Sequence, residues 1–153
     1  MLKDEAELLR RVPLFAQVAP AKLKLLAFAS DRVKYAAGQA LFHQGDPGDA
    51  AYVVLAGEAD VLIDTPAGEQ KVAAVEPNSI VGEIAILCDV ARTATVRAVS
   101  PIEALRIRKE HFVQLLSENP GMALEIMRVL ADRLSRTTGE LTQARSELAR
   151  RKK

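Results

Sequence analysis

The sequence has one cysteine, no long apolar run and almost no net charge. With Cys88 alone, the chain cannot form an internal disulfide or a multi-thiolate metal site, which suits a reducing compartment. The longest fully apolar run, Ala50–Ala56, is far shorter than the ~20 residues that a membrane-spanning helix needs. Residues 1–5 are too acidic for a signal peptide. We therefore expect a cytoplasmic protein that does not enter a membrane by itself.

Composition predicts an ordinary globular domain. The chain has 153 residues, 49% of them apolar and 27% charged, which fits one soluble domain with its own core. Lysine and arginine number 21 against 20 acidic residues, and a net charge of +1 gives no electrostatic reason to expect nucleic acid as a partner.

Hydrophobic period and turn residues divide the chain into three zones. Residues 1–32 have a helical pattern, residues 33–108 consist of short segments with turn residues every 8–12 positions, and residues 109–153 return to a helical pattern. Many short strands at even spacing indicate a sandwich or barrel. The sequence therefore predicts a mainly β fold with flanking helices, a jelly-roll-like β-roll within a single domain.

Several local features sharpen this assignment. Pro20 is expected to open a short helix, and Asn119 is expected to cap the N-terminus of a long final helix. Gly57 and Glu58 read as the two-residue loop of a β-hairpin. Residues 83–87 are short, apolar and preceded by glycine, so that either a strand or one helical turn fits them.

The C-terminal zone carries a heptad pattern. Met127, Leu134, Leu141 and Leu148 recur every seven residues, and Leu130, Thr137 and Ala144 occupy the intervening positions. One interpretation is that residues 127–134 pack on the chain's own core. The other is a homodimer through a coiled coil of this helix, especially beyond Thr138.

Residues 81–96 have the parts needed to hold a small phosphate ester. Gly82 permits the backbone to approach a ligand closely, and a helical turn at residues 83–87 would present free N–H groups to an anion. Arg92 supplies a planar fork for phosphate oxygens, Thr93 adds a hydroxyl, and Glu83 can accept hydrogen bonds from a sugar diol. The alternative is that Glu83 and Arg92 form an exposed surface ion pair.

This stretch resembles the phosphate-binding cassette of cyclic nucleotide-binding domains, whose pattern is Phe-Gly-Glu-x-Ala-x(6)-Arg-x-Ala-x-Val. The matching positions are Gly82, Glu83, Ala85, Arg92, Ala94 and Val96, and Val81 replaces the aromatic residue. The nine-residue step from Glu83 to Arg92 is similar to that of protein kinase A regulatory subunits and cyclic nucleotide-gated channels. Segments 38–49 and 52–59 resemble the family's first hairpins, and the similarity extends over about residues 8–137.

The resemblance implies a role for each residue of the stretch. Glu83 would bond the ribose 2′-hydroxyl, and Arg92 would pair with the cyclic phosphate. Backbone N–H groups near Ile84 and Ala85, together with Thr93, would complete the phosphate cage, and Ala94 would keep the cavity shallow. The short segment 83–87 would then be a cassette helix.

The resemblance also implies a ligand and a lid. Cyclic AMP is the expected ligand, with cyclic GMP as the alternative because Thr93 could reach a guanine edge. The C-terminal helices would form a lid over the base, which nominates Arg133 and Arg136 as lid residues, unless both are solvated charges on an amphipathic helix. The domain would bind and release its ligand without chemistry, and no metal or cofactor is expected.

Two other functions remain alternatives. One is an interaction module that has lost its ligand and uses the heptad helix as its working surface. The other is an enzyme with a cupin-like cavity, which would need a histidine cluster, whereas His43 and His111 lie far apart and read as ordinary surface or boundary residues. Cys88 is expected to be a packed thiol near the cassette, with redox sensing only if it is both exposed and held in a setting that favours the thiolate. Whether the chain acts alone or as the regulatory piece of a longer protein is not visible in the sequence.

Overall fold

A computed structural model describes residues 2–16, 18–128, 130–132 and 148 of the chain. The strands are Asp31–Tyr35 (β1), Ala40–Phe42 (β2), Ala50–Ala56 (β3), Ala59–Thr65 (β4), Gly68–Val75 (β5), Ile80–Val81 (β6), Thr95–Ala98 (β7) and Ile102–Arg108 (β8). The helices are Leu2–Arg10 (α1), Pro20–Ala29 (α2), Glu83–Leu87 (α3) and Lys109–Glu118 (α4), with a 3-10 turn at Pro13–Phe15. Residues 120–128 and 130–132 are also helical and are called the final helix below.

The strands form two four-stranded sheets in which every pairing is antiparallel. The first sheet has the order β1-β8-β3-β6 and the second has the order β2-β7-β4-β5. Neighbouring strands are mostly distant in sequence, as in a jelly roll. The predicted fold class, a mainly β-roll with flanking helices, is confirmed.

Strand β3 explains the apolar run seen in the sequence, because both of its faces are buried. Ala51 and Val53 pack beneath the helices, whereas Tyr52 and Val54 point into the space between the two sheets. A strand covered on both sides is apolar at consecutive positions instead of alternating.

The molecule therefore has two apolar clusters that share the first sheet. One lies between this sheet and the helices, with Leu9, Phe15, Leu23 and Phe112 among its fully buried side chains. The other fills the roll between the sheets. Helix α2 begins at Pro20 as predicted, and its residues Leu23 and Leu26 pack in the first cluster.

Residues 83–87 are a helix and not a strand. Gly82 has a φ of +86°, a left-handed conformation that lets the chain leave β6 and enter α3 within one residue. The glycine that made the segment ambiguous in sequence is thus the residue that starts the helix.

The predicted hairpin at Gly57 and Glu58 is wrong. These residues do connect β3 to β4, but the two strands lie in different sheets, so the connection crosses from one sheet to the other. Gly57 has a φ of +90°, and a Cβ there would overlap the carbonyl oxygen of Pro101. The sequence predicts the tight turn at this glycine correctly, but it does not predict how the two flanking strands pair.

Asn119 does not cap the final helix with its side chain. Its Nδ2 donates to the carbonyl oxygen of Leu115 at 2.8 Å, which closes the end of α4. Only its backbone carbonyl serves the next helix, accepting from the N–H of Met122 at 2.9 Å.

The final helix is packed on one side only. Met122 and Ile126 are buried in the helical cluster and Leu130 packs against it, whereas Leu124 and Met127 are each 57% exposed. The interpretation that Met127 packs on the chain's own core is therefore wrong. Leu134 and Leu141 lie outside the described residues, and Leu148 is 56% exposed. Within the described part of the chain, no helix combines the length and the apolar character that crossing a bilayer requires.

Candidate functional site

A cavity of about 400 Å³ lies against the second sheet where α3 and the segment after it cover the roll, a size within the ~300–1,000 Å³ of small-molecule sites. One side is apolar and belongs to the strands, and the other carries the charged and polar groups of residues 82–94. Its lining is Phe42, Val61, Ala73, Ala74, Val75, Ser79, Ile80, Val81, Gly82, Glu83, Ala85, Arg92, Thr93, Ala94 and Val96.

Arg92 is the main charged group of this cavity, and it is only 3% exposed. Its Nη1 donates to the carbonyl oxygen of Gly82 at 2.9 Å, and its Nη2 donates to that of Ala50 at 2.6 Å. Its Cζ lies 4.1 Å from the centroid of the Phe42 ring, a cation–π contact. The guanidinium is therefore held by two segments that are far apart in sequence.

The negative charge that faces this buried guanidinium lies on an exposed side chain. The Asp49 carboxylate is 3.7 Å from Nη2 and is itself exposed. Burial lowers the pKa of Arg92 below its ordinary value, and the negative charge of Asp49 opposes that shift. Two neutral carbonyls and one solvent-exposed carboxylate compensate an ion of this kind only in part.

The Nε–H of Arg92 is also unsatisfied. It is buried and has no hydrogen-bond partner among the described residues. Buried polar groups are almost always paired, and an exception calls for an explanation such as strain, a functional role, or a bound water, ion or ligand. The side chain thus brings a positive charge, and a donor without a partner among the described residues, to the wall of a cavity of ligand size.

The loop of residues 45–49 holds the backbone of Arg92. The N–H of Gly45 donates to the carbonyl of Arg92 at 2.8 Å, and the N–H of Arg92 donates to the carbonyl of Asp46 at 2.8 Å. Because both backbone groups of Arg92 are paired, its position follows that of the loop.

The structure brings most of the predicted site residues together. Glu83, at 9% exposure, is the first residue of α3, Ile84 and Ala85 follow it, and Ala85 and Ala94 are buried. Thr93 is exposed at the mouth of the cavity. Arg133 and Arg136, the predicted lid residues, lie outside the described residues. Gly82 also packs against Arg92, because a Cβ there would lie 2.5 Å from Nη1.

Sequence reasoning missed Phe42, Asp49 and Ala50, which surround the guanidinium. Phe42 and Ala50 bear no chemical signature, since one contributes a ring face and the other a backbone carbonyl. Asp49 belongs to a segment that read only as a loop. The prediction of a packed thiol at Cys88 is wrong: it follows the end of α3, directly before Asp89 with a φ of +53°, and is exposed.

Comparison with known proteins identifies the family. The family model of the cyclic nucleotide-binding domain matches residues 32–119, more than half of the chain. The chain belongs to the cyclic nucleotide-binding domain family. Residues 81–96, which resemble the family's phosphate-binding cassette, lie within the matched part of the chain.

Relatives of two kinds are similar to this domain. A CRP-like cAMP-activated global transcriptional regulator of Mycobacterium tuberculosis is 26% identical over 88% of this chain and 61% of its own length. A cAMP-dependent protein kinase regulatory subunit of Emericella nidulans is 33% identical over 71% of this chain and 26% of its own length. The sensor domain of the transcriptional regulator DNR from Pseudomonas aeruginosa superposes with a TM-score of 0.81 at 27% identity, covering 91% of this chain and 94% of that one.

The chain spans less than two thirds of the length of the first of these regulators and about a quarter of the kinase subunit. What it shares with both is the cyclic nucleotide-binding domain.

The close contact between Gly82 and Arg92 generates a prediction for stability. Gly82→Ala and Gly38→Ala both place a Cβ on a residue whose φ is near +90°, but only at Gly82 does the Cβ meet another group. Each change should lower the free energy of unfolding by about 1–2 kcal/mol for the left-handed backbone. Gly82→Ala should cost more, because it also displaces the guanidinium from its carbonyl partner. Urea denaturation of both variants measures the difference, and equal losses would contradict this description of the contact.

Proposed function

We propose that this domain is a sensor that binds a cyclic nucleotide, cyclic AMP in the first place, and passes the binding event to its C-terminal helices. The observation that supports the proposal most strongly is the buried Arg92, whose charge is only partly compensated and whose Nε–H has no partner among the described residues. A phosphate oxygen would supply both the missing acceptor and the missing negative charge.

The phosphate contact is the anchor of the proposed complex. A guanidinium presents its donors in a fixed fork that fits two oxygens of a phosphate, and such bonds are stronger than those between neutral groups. Since Arg92 is already buried and held by Gly82 and Ala50, little further ordering is needed when the ligand arrives. The backbone of Ile84 and Ala85 and the hydroxyl of Thr93 would complete the cage.

Ribose and base would occupy the remainder of the cavity. Glu83 lies beside Gly82 at the cavity wall, where its carboxylate can accept a hydrogen bond from the ribose 2′-hydroxyl. Val61, Ala73 and Ala74 form an apolar wall on the second sheet, which suits the flat face of a purine. These apolar side chains make no hydrogen bonds to base edges, so the choice between adenine and guanine would depend on Thr93 and on the lid.

Signal transfer would start at Lys109, the first residue of α4. Its N–H donates to the carbonyl of Asp49 at 2.9 Å, and its Nζ lies 3.2 Å from Oδ1 of Asp89. Helix α4 is therefore attached both to the loop that holds Arg92 and to the turn that follows α3. We expect ligand binding to shift the population of the helices towards a closed lid, in which Arg133 or Arg136 covers the base.

Self-association through the final helix is a second function that one observation favours. Leu124 and Met127 are exposed on the side away from the core, and Leu148, three heptads beyond Met127, is exposed as well. An apolar stripe at this spacing is typical of a helix that pairs with another helix. We propose a homodimer as the partner arrangement, in addition to ligand binding.

The anchor predicts the effect of removing Arg92. Arg92→Leu should weaken cyclic AMP binding by about 2–5 kcal/mol, a loss of about 30-fold or more, because the phosphate would enter a buried site without its counter-charge. Isothermal titration calorimetry measures the change. Arg97→Leu is the matched control, since Arg97 pairs with Glu69 on the surface and does not line the cavity. Equal affinities of wild type and Arg92→Leu for cyclic AMP would contradict the proposal.

Base selection gives a prediction for Thr93. Thr93→Val removes the hydroxyl but keeps the shape of the side chain. If the hydroxyl reaches the guanine edge, cyclic GMP should lose about 3- to 10-fold in affinity, the range of one hydrogen bond, and cyclic AMP should lose less. Competition titrations with both nucleotides measure the ratio. A parallel loss for both would mean that Thr93 serves the phosphate only.

The exposed stripe predicts the behaviour of Met127→Glu. A charge in the centre of an apolar helix interface should shift a dimer to monomer, because the carboxylate would be desolvated. Sedimentation velocity measures the change. Leu25→Glu is the control, since Leu25 is an apolar residue on α2 that is 70% exposed. A wild-type chain that is monomeric at high concentration, or a dimer that Met127→Glu leaves intact, would contradict the proposal.

A further inference from the structure

Gly48 is packed directly against the cassette helix. A Cβ built on it would overlap the Cβ of Ala85 and would lie 3.2 Å from the carbonyl carbon of Ala85. Unlike Gly45 and Gly82, Gly48 does not have a positive φ. Its backbone is therefore not in the left-handed conformation that favours glycine. The small residue is required by its neighbours instead: Ala85 above all, and the carbonyl oxygen of Val90, which would lie 3.2 Å from the added Cβ.

Each of the two segments that meet at this contact adjoins a carbonyl group that holds the Arg92 guanidinium. The carbonyl of Gly82, directly before α3, accepts from Nη1, and the carbonyl of Ala50, directly after the loop of residues 45–49, accepts from Nη2. The separation of these two carbonyls fixes where the guanidinium sits. Ala85 lies two residues into α3 from Glu83 and is only 4% exposed, so that α3 cannot approach or leave the loop without changing this contact.

We propose that Gly48 and Ala85 are a positioning pair: their small size sets the distance between the cassette helix and the loop of residues 45–49, and thereby places Arg92 for the phosphate. Neither residue needs to touch the ligand through its side chain for this role. A methyl group added at position 48 would push the two segments apart, and the same volume removed at position 85 would let them return.

This proposal rests on the proposed function, and affinity is its first test. Gly48→Ala should weaken cyclic AMP binding at least 10-fold in calorimetric titrations, and Gly48→Ala combined with Ala85→Gly should recover most of that loss. Gly57→Ala is the matched control: its Cβ would also overlap a backbone group, but at Pro101, which does not line the cavity. It should lower the thermal midpoint without a comparable loss of affinity. Wild-type affinity in Gly48→Ala, or a double variant that binds no better than Gly48→Ala, would overturn the pairing.

A second measurement does not depend on any ligand. The Nε–Hε cross-peak of Arg92 in ¹H–¹⁵N spectra of the free protein should shift in Gly48→Ala and return towards its wild-type position in the double variant, whereas Gly57→Ala should leave it in place. Should wild type bind no cyclic nucleotide, the proposed function fails, and this cross-peak still decides the positioning role. If Gly48→Ala does not fold, the double variant decides: a folded protein with the wild-type cross-peak supports the pair, and an unfolded or shifted one overturns it.

Discussion

The arrangement of the site depends on one constraint, the burial of the charged Arg92 guanidinium. A charged side chain that is only 3% exposed needs partners. The fold provides two backbone carbonyls, an aromatic ring face and a solvent-exposed carboxylate. These contacts fix the side chain in place but leave its charge only partly compensated and its Nε–H without an acceptor among the described residues. A group prepared in this manner favours an anion that brings its own hydrogen-bond acceptors.

The jelly roll supplies those contacts by bringing distant segments together. Strand β3 contributes the carbonyl of Ala50, strand β2 contributes Phe42, and the connection between β6 and α3 contributes Gly82. Strand β3 is held on both faces, by the helices and by the roll, so the Ala50 carbonyl has a rigid base. Since Asp49 receives the N–H of Lys109, the same assembly that holds the arginine also anchors the first turn of α4.

The sequence predicts the cassette through its resemblance to a family pattern, and that pattern is local: Gly82, Glu83 and Arg92 lie within eleven residues of each other. Turn residues at regular spacing predict the β-roll, but they do not predict which strands pair with each other. The hairpin expected at Gly57 is instead a connection that crosses from one sheet to the other. Turn residues specify that a chain reverses, whereas the partner of each strand depends on the burial of the whole sheet. Phe42 and Ala50 could not be foreseen, since a ring face and a backbone carbonyl gain their role only from tertiary proximity. Likewise, an asparagine side chain can cap either the start of the final helix or the end of α4, and the sequence does not decide which of the two Asn119 caps.

The most direct test of the account follows the Nε–Hε resonance of Arg92 while cyclic AMP is added to the protein, with adenosine as the ligand that lacks phosphate. The account predicts a saturable shift with cyclic AMP and no comparable shift with adenosine, because the Nε–H gains a phosphate oxygen. A cyclic nucleotide that binds without moving this resonance, or one that does not bind at all, would contradict the central role of Arg92.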